Sequence, residues 1–511
     1  MSLPVSSSRA VVKAVRGLPV VDFVVIGGGI TGLSAAFFLR RYVRKNGKEP
    51  KIVVLEGSKR LGGWIHSVRT EEGAVHELGP RTLRPAGCAG QTTINLACAL
   101  GLYHEHKVVA VRRDHPSAKN RFIYANGKLH KLPNSLLSLI RKQEPFSKPL
   151  LSYAWNEFFV PKSPLEDESV YDFSHRRFGK EVTEYMVDAM CRGIYAGDAR
   201  ELSVRSCFPL LHKYEQQHGG IIKGGYQATQ VRPEKDSFLA HDDLMQKEHR
   251  EKWSVWTLKG GLQTLVEKLE WRLGIDRVVI NTGETCSHLE FVDEEESEGG
   301  KKVAIVTAGG KKWQADHVVS CIPSHNLGQL MEEEHDQFAE ILKSIKSVTV
   351  ATVNLEYEGS VLTEEGFGYL VPSNQTSNVL GVVFDSCALP QLNRTGKGKT
   401  TRLTCMMGGA WFHDLFGDPQ NVDSDHLLSI AKEAVRDHLG ITATPVYSAV
   451  NIQRDCIPNY KVGHHKVLDD LDDYVREQSL PLTLLGSSYR GVSVNDCIYE
   501  AMKAVWRMRS S

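Results

Sequence analysis

The first residues that could do chemistry are glycines near the start of the chain. The run VVIGGGITG, residues 24–32, contains the spacing Gly27-x-Gly29-x-x-Gly32 directly after an apolar stretch. Between a strand and a helix, Gly27 permits a tight turn, Gly29 lets a pyrophosphate approach the backbone, and Gly32 lets helix and strand pack closely. The helix N-terminus supplies unpaired N–H groups for the anion. This chemistry is phosphate binding, and the alternative is an ordinary buried turn.

The elements around the turn favour the phosphate interpretation. Residues 22–29 predict a short buried strand, 30–45 a helix with basic residues at its end, and 51–57 a second strand closed by Glu56. Glu56 follows Gly32 by 24 residues, where a carboxylate accepts both ribose hydroxyls and repels a 2′-phosphate, which disfavours NADP. This βαβ spacing predicts a dinucleotide site. Its binding residues are Gly27, Gly28, Gly29, Ile30, Thr31, Gly32, Glu56 and Gly57.

A second glycine pair follows in SKRLGGWIHSVR, residues 58–69. This run resembles the ExxxRxGGRxxS extension of the large FAD-binding amine oxidase and desaturase superfamily, which leads from the ribose towards the pyrophosphate and favours FAD over NAD. Trp64 stands where the superfamily has arginine, so a charge contact to phosphate is lost. We expect stacking or an indole N–H bond in its place. The matching residues are Glu56, Arg60, Gly62, Gly63 and Ser67.

The glycine and proline in the segment HELGPRTLRPAG, residues 76–87, predict a backbone that passes close to a flat ligand group. Arg81 can carry positive charge towards a reduced flavin, although a turn with a surface arginine is the alternative. In the superfamily this segment passes beside the flavin ring, which implies cofactor contacts for Gly79, Pro80, Arg81 and Thr82.

The far end of the chain completes the cofactor prediction. GVSVND, residues 491–496, precedes an apparent helix whose N–H groups can face the electron-rich side of an isoalloxazine. Alone, this is only a glycine-bounded helix start. No cysteine of the SGGC type precedes the helix, so we predict non-covalent FAD. The predicted contacts are Val492, Ser493 and Val494.

Length and composition set further bounds. A chain of 511 residues is expected to form two or three lobes, and a net charge of +1 argues against nucleic acid as a partner. Ten cysteines without CxxC pairs indicate reduced thiols rather than a disulfide frame, and no metal site is predicted. No uncharged apolar run reaches the roughly 20 residues of a membrane-spanning helix. Residues 1–20 are basic and serine-containing, which suits a mitochondrial targeting segment or a disordered tail.

Seven separated blocks, in order along residues 21–511, resemble the animal-type protoporphyrinogen IX oxidases, within the flavin amine oxidase and phytoene desaturase superfamily. They are GGWIHSVR, ELGPRTLRPAG, DHPSAKNRFIY, CRGIYAGDARELSVRSCFP, GFGYLVPS, CIPNYKVGHH and SYRGVSVNDCI. The resemblance implies an α/β fold: a discontinuous Rossmann-like FAD-binding domain, of the p-hydroxybenzoate-hydroxylase and amine-oxidase type, with inserted substrate-binding and helical membrane-binding domains. The expected divisions are a tail at 1–20, FAD-binding parts at 21–114, 225–330 and 477–511, a helical lobe at 115–224 and a substrate-binding domain at 331–476.

The resemblance also implies an activity. The family takes six hydrogens from protoporphyrinogen IX, passes them to O2 and releases H2O2, in haem biosynthesis. It works as a homodimer on the outer, intermembrane-space face of the mitochondrial inner membrane, and hand-off of the product to ferrochelatase is expected. A flavin amine oxidase of the same fold is the alternative.

The family's substrate cavity corresponds to four apolar residues here, Phe367, Leu370, Val383 and Met406. Arg121 matches the arginine that pairs with a propionate, for which guanidinium offers bidentate geometry. Without the family resemblance, the residue types of Val383 and Met406 indicate ordinary core residues. Thr285 is implied to lie near the adenine.

No catalytic side chain is nominated, because the hydride is expected to leave to flavin N5 and the cofactor carries the chemistry. His115, His464 and His465 are expected to be structural. Residues 132–155 mix leucines, aromatics and lysines, which suits an interfacial membrane helix or an amphipathic core helix. The polar run 214–250 indicates a mobile insertion between lobes.

Overall fold

The computed structural model describes residues 18–45, 47–230, 242–292, 301–331, 335–396 and 398–510. Most of the predicted basic tail, part of the predicted insertion (231–241) and the acidic residues 293–300 lie outside the described residues.

The first sheet carries the predicted βαβ unit. Its strand order is β10-β11-β12-β1-β2-β9, and β18 pairs with β12. Strands β2, β9, β12 and β18 join β1 in a parallel core, and β10 and β11 add an antiparallel flank. The strands are β1 (Val20–Ile26), β2 (Ile52–Glu56), β9 (Val279–Thr282), β10 (Cys286–Val292), β11 (Lys302–Thr307), β12 (Lys312–Ser320) and β18 (Leu482–Leu484).

Alternation along β1 explains the layers on the two faces of this sheet. Phe23 and Val25 belong to one apolar core, whereas Val24 and Ile26 belong to another. Since successive side chains of a strand point to opposite faces, the sheet is buried on both sides. The first core contains helices 30–42, 87–99, 263–275 and 494–510, and the second contains helices 324–330, 336–344 and 464–477. This confirms the predicted Rossmann-like α/β fold.

The second sheet has the strand order β17-β13-β16-β15-β14-β6-β7. Its pairs are antiparallel except for β14 and β6, which run parallel. One face packs on the helix Ser424–Leu439. The strands are β6 (Phe122–Ala125), β7 (Lys128–Lys131), β13 (Ser347–Glu358), β14 (Gly368–Leu370), β15 (Val379–Val383), β16 (Thr400–Gly409) and β17 (Tyr447–Pro458). Two short ribbons join β3 (Ser67–Arg69) to β4 (Val75–Glu77) and β5 (Val108–Arg112) to β8 (Trp253–Leu258).

The structure differs from the expected divisions at two places. Residues 122–131, expected in the helical lobe, form β6 and β7 of the second sheet, because Phe122 pairs with Tyr369 on the free edge of β14. The helix His464–Glu477, expected in the substrate-binding domain, buries Leu471 against the first sheet. Both segments join an apolar surface that is distant in sequence.

The α-helices, numbered in chain order, are mostly short in the lobe between residues 136 and 230. The segment 132–155 contains α4 and the start of α5 rather than one helix, and the described parts of 214–250 are largely helical rather than irregular. Among the described residues, none of the helices combines the length and apolar character needed to cross a bilayer. The helices are α1 (Ile30–Tyr42), α2 (Gly87–Ala99), α3 (Pro116–Lys119), α4 (Leu136–Ile140), α5 (Leu150–Glu157), α6 (Val170–Phe178), α7 (Lys180–Val182), α8 (Asp188–Tyr195), α9 (Val204–Cys207), α10 (Pro209–His218), α11 (Ile221–Gln230), α12 (Asp242–Glu251), α13 (Gln263–Ile275), α14 (Ser324–Leu330), α15 (Asp336–Ser344), α16 (Asp385–Ala388), α17 (Phe412–Phe416), α18 (Ser424–Leu439), α19 (His464–Glu477) and α20 (Val494–Ser510).

Candidate functional site

The glycine turn at the end of β1 has the geometry that its spacing predicts. Gly27 has φ of +106°, which favours glycine, and a Cβ on Gly32 would lie 1.9 Å from the carbonyl oxygen of Gly27. At Gly29 the situation is different, since a Cβ would meet no described protein atom nearer than 3.8 Å. Gly29 is therefore bordered by space rather than by packed protein, as a bound pyrophosphate requires.

Helix α1 begins directly behind this space. Gly29 is its N-cap, and the first turn contains no acidic residue. The first helical backbone bond runs from the N–H of Leu33 to the carbonyl of Gly29, so the first-turn N–H groups have no acceptor within the helix and lie at the end where an anion can bind.

Glu56 closes one side of the turn from the end of β2. One carboxylate oxygen accepts the N–H of Gly28 at 2.7 Å, and the other accepts the N–H of Ser58 at 2.7 Å. Beside it, Gly57 lies against Thr285, whose Oγ1 would be 2.7 Å from a Cβ on Gly57. Thr285 thus lies beside the strand end that carries Glu56, at the ribose side of the turn.

The second glycine pair packs on the first. The N–H of Gly62 donates to the carbonyl of Gly28 at 2.9 Å, and Arg60 fixes the loop by donating to the carbonyls of Gly63 at 2.5 Å and Ile65 at 3.0 Å. Trp64, which replaces the usual arginine, has a side chain 37% exposed. The described protein therefore leaves its indole accessible at the edge of the turn.

The segment with Gly79, Pro80, Arg81 and Thr82 connects the turn to the second sheet. A Cβ on Gly79 would lie 2.0 Å from the carbonyl oxygen of Trp64, so the two segments touch through bare backbone. The carbonyl of the preceding residue, Leu78, accepts three side-chain donors from β13 and β17: Thr352 at 3.0 Å, Asn451 at 3.3 Å and Gln453 at 2.7 Å.

The C-terminal block, residues 491–496, contacts the segment that contains Arg81. Ser493 caps α20 with a reciprocal pair of bonds, since its hydroxyl accepts the N–H of Asp496 at 3.1 Å and Asp496 accepts the N–H of Ser493 at 3.2 Å. Asn495 donates to the carbonyl of Arg84 at 2.8 Å, which ties α20 to the segment that follows Arg81. Val492 and Val494 pack into separate apolar cores on the two sides of this cap.

The four predicted cavity residues come together on one part of the second sheet. Leu370 pairs with Gly381, which pairs with Met406, and Val383 lies between Gly368 and Thr404. Directly paired residues point to the same face, and so do residues two apart on one strand. Leu370, Val383 and Met406 therefore share a face, and Phe367 immediately precedes β14.

This apolar face is directed towards the cofactor segment. Thr352 pairs with Met406 and Asn354 pairs with Thr404, so both share that face. Thr352 donates to the carbonyl of Leu78, and Asn354 donates to the carbonyl of Glu77 at 3.2 Å. The strands that carry the apolar residues therefore contact the segment that leads from the glycine turn to Arg81.

Arg121 lies immediately before β6, beside β14. Its guanidinium stacks over the ring of Phe367 at 4.1 Å, and its Nη1 is buried with no hydrogen-bond partner in the described part of the chain. Burial and the nearby Arg84 lower the pKa of Arg121 to about 10. A buried cation without an acceptor suits an anionic ligand group.

Two acidic residues near Arg81 were not predicted from the sequence. Asp385 accepts from Arg81 Nη1 at 3.0 Å, and Glu77 accepts the hydroxyl of Ser67 and the N–H of Leu262, each at 2.7 Å. Burial raises the pKa of Glu77 to about 7, against the lowering by its hydrogen bonds. The position of Asp385 two residues after Val383 was an available signal, but only the tertiary contact gives it meaning.

Two of the three histidines have hydrogen-bond partners within the described fold, and the third lies beside carboxylates without a hydrogen bond. His115 accepts the N–H of Ser117 at the start of α3, and His464 lies 2.9 Å from the carbonyl of Tyr489. His465 lies beside two acidic residues, with its Nε2 3.2 Å from Glu166. Within the described residues, no His, Cys, Asp and Glu side chains form a group of three able to hold a metal ion.

These observations fit a dinucleotide that runs from Glu56 across the glycine turn to Arg81. Glu56 is placed to serve the ribose, the open space in front of Gly29 at the N-terminus of α1 would take the pyrophosphate, and Arg81 beside the second sheet would face the far ring system.

Comparisons with known proteins identify the family of the chain. Residues 30–509 match the family model described as flavin containing amine oxidoreductase. The protoporphyrinogen oxidases of Macaca fascicularis and Homo sapiens are each 41% identical over 481 residues, covering 94% of this chain and 97% of theirs. A solved structure from Exiguobacterium sp., described as a candidate protoporphyrinogen oxidase, superposes with a TM-score of 0.74 at 21% identity, covering 97% of this chain and 100% of the other. The chain therefore belongs to the flavin-containing amine oxidoreductases and, within them, to the protoporphyrinogen oxidases.

Proposed function

We propose that this protein is an FAD-dependent oxidase that converts protoporphyrinogen IX to protoporphyrin IX, with O2 as the acceptor and H2O2 released. The observation that carries the proposal is the match to protoporphyrinogen oxidases over 94% of the chain. When bound, the flavin supplies the hydride acceptor. The chain itself binds and orients the two ring systems.

The geometry supports a bulky, largely apolar substrate with an acidic group. Leu370, Val383 and Met406 offer an apolar face, and Arg121 beside it has a buried Nη1 without a hydrogen-bond partner in the described residues. A propionate there would satisfy the buried Nη1 in a charge-assisted hydrogen bond. An amine substrate would instead bring a cation towards Arg121, which disfavours the amine oxidase alternative.

The direct test is anaerobic addition of protoporphyrinogen IX to the purified yellow protein. Bleaching of the flavin absorbance, its recovery in air and growth of porphyrin fluorescence are expected. Parallel samples with coproporphyrinogen III and with benzylamine test the substrate class. Faster bleaching by the amine, or none by any porphyrinogen, would overturn the proposal.

The cofactor assignment has its own test in Gly29→Glu. The backbone at Gly29 (φ −72°, ψ 179°) accepts any residue, and a Cβ there has room, so the variant should fold with the melting temperature of the unaltered apoprotein. Its carboxylate would occupy the phosphate position. We therefore expect folded, colourless protein, and extraction of FAD at normal stoichiometry would contradict the assignment.

We also propose peripheral membrane binding through the helical lobe. Eight large apolar side chains between residues 136 and 165 are more than half exposed, and Arg141, Lys142, Lys148 and Lys162 lie exposed among them. A buried ion pair at 2.6 Å between Glu157, the last residue of α5, and Arg177 on α6 anchors α5 to the rest of the lobe. The exposed residues are Leu136, Leu137, Ile140, Leu151, Trp155, Phe158, Phe159 and Leu165.

Basic residues among exposed aromatics are typical of an interfacial surface on anionic lipid. Co-sedimentation with vesicles containing anionic lipid should be lost in Trp155→Ser/Phe159→Ser. Trp271→Ser is the matched control, since Trp271 is also 57% exposed but lies on α13 beside the first sheet. Equal loss in both variants would contradict a specific surface.

The remaining family properties stay proposals: the mitochondrial inner membrane, on the intermembrane-space side, as the location, a homodimer as the working form, and hand-off of the product to a ferrochelatase. The same holds for the division into FAD-binding, substrate-binding and membrane-binding parts. Light scattering of the purified protein and fractionation of mitochondria test the first two directly.

A further inference from the structure

Asp385 links the cofactor segment to the apolar face of the second sheet. Its carboxylate accepts from Arg81 Nη1 at 3.0 Å, and both side chains are about nine-tenths buried. Asp385 follows β15, two residues after Val383. The pair therefore joins the arginine proposed to face the flavin to the strand proposed to face the substrate.

The second oxygen of Asp385 is also occupied. The hydroxyl of Thr404 donates to it at 2.6 Å, and Asn354 donates to Thr404 at 2.9 Å and to the carbonyl of Glu77 at 3.2 Å. Thr404 lies two residues before Met406 on β16 and shares its face. Arg81 thus stands at the end of a fixed series of hydrogen bonds that runs along the apolar face.

The neighbouring cation does not compete for this carboxylate. Arg402 is buried in the same region, but its guanidinium donates to Asn393 at 2.9 Å and to the carbonyls of Val75 and Leu389. Arg81 is therefore the guanidinium that hydrogen-bonds Asp385 in the described structure.

We propose that Asp385 is a positioning residue that holds Arg81 towards the flavin and thereby sets the flavin's reduction potential. The proposal rests on the proposed function, because it assigns Arg81 a place beside that cofactor. A cation in a water-poor cleft stabilises negative charge that develops on a nearby group, and this effect falls with distance. An arginine released from its partner has rotamers that lead away from the cleft and into water.

Positioning and simple charge predict opposite results for Asp385→Asn. If Asp385 acts only as a negative charge, its removal leaves more positive charge near the flavin and raises the potential. If Asp385 positions Arg81, its removal frees the cation and lowers the potential. We expect the midpoint potential of the bound flavin to become more negative.

Thr404→Val tests positioning without any change in charge. Asp385 loses one of its donors, so the potential should move in the same direction by a smaller amount, and Thr404→Ser should restore it. Asp437→Asn is the control, because Asp437 is an exposed carboxylate on α18. In an Arg81→Met background, Asp385→Asn should no longer lower the potential, because no cation is left to position and only the rise from the lost negative charge remains.

A rise or no change in potential for Asp385→Asn would overturn the proposal, as would a lowering that persists in Arg81→Met. Should Asp385→Asn fail to fold, Thr404→Val against Thr404→Ser gives the answer, and equal potentials for those two would overturn it. Failure of the proposed function is separate, because it is seen in the unaltered protein as missing flavin or missing porphyrinogen oxidation.

Discussion

The glycine turn and the apolar face of the second sheet both serve the candidate site, but they are built in different ways. The turn takes its shape from backbone within residues 27–32, where Gly32 touches the carbonyl of Gly27. The face is assembled from β6, β14, β15 and β16, whose side chains are up to 285 residues apart between Arg121 and Met406. A backbone contact leaves no room for an added atom, whereas the side chains of a sheet face can repack around a substitution. Substitutions should therefore act abruptly in the turn and gradually on the face.

The largest effect is expected for Gly32→Ala. Its Cβ would overlap the Gly27 carbonyl at 1.9 Å, so the turn must move, at or beyond the upper end of the roughly 1–3 kcal/mol typical of overpacking. Flavin content and melting temperature should both fall. Gly274→Ala on α13 is the control, because nothing lies within 4 Å of its Cβ, and it should stabilise by about 0.5–1 kcal/mol. A Gly32→Ala protein with normal flavin content and melting temperature would contradict the expected difference between the turn and the face.

Glu77→Gln should change how stability depends on pH. Burial raises the pKa of Glu77 from 4.5 to about 7, so the folded protein holds a proton that the unfolded chain releases. The proton on Glu77 therefore contributes on the order of 3 kcal/mol to the free energy of unfolding. This contribution is fully present below pH 4.5 and is lost as the pH rises to about 7. The melting temperature should fall less between pH 5 and pH 8 in the variant than in the unaltered protein, as measured by thermal melts at both pH values. Glu71→Gln, at an exposed carboxylate, should behave as the unaltered protein.

Arg121→Ala tests the graded behaviour of the face. Loss of a hydrogen bond to a charged group costs about 1.5–3 kcal/mol, which corresponds to a KM increase of roughly 10- to 100-fold. The kcat should change much less, because the contact is made equally before and during the reaction. Steady-state porphyrin fluorescence measures both constants. Arg112→Ala, which removes only an exposed ion pair with Asp114, should leave them unchanged, and unchanged kinetics in Arg121→Ala would remove that residue from the site.

Ser493→Ala is expected to have the smallest effect. It removes the side chain that caps α20, for a cost of about 1 kcal/mol in stability. Flavin should remain bound with weaker affinity, measured by titration of the apoprotein with FAD. Ser429→Ala, within α18 and exposed, should be neutral or slightly stabilising. A complete loss of flavin in Ser493→Ala would mean that the closing helix is as intolerant as the glycine turn.

Sequence reasoning located the strand–helix–strand unit and its acidic end because those features depend on neighbours in the chain. It placed β6 and β7 in the helical lobe, since nothing in residues 122–131 shows that their partner is the edge of β14. It nominated Val383 and Met406 through family resemblance, but passed over Asp385, which begins α16 two residues after Val383, and Thr404, which lies two residues before Met406 on β16. Their role exists only where β15, β16 and Arg81 meet.

The sequence by itself determined the glycine turn, because the absence of a Cβ at fixed spacing and a carboxylate at the end of the next strand act over short range. It also determined the basic and aromatic character of the helical lobe, which composition alone shows. Only the tertiary structure decided which side chains face one another across the site: Arg121 over Phe367, and Arg81 against Asp385. The physical reason is that these contacts depend on strand pairing between distant segments, whose register no local pattern specifies.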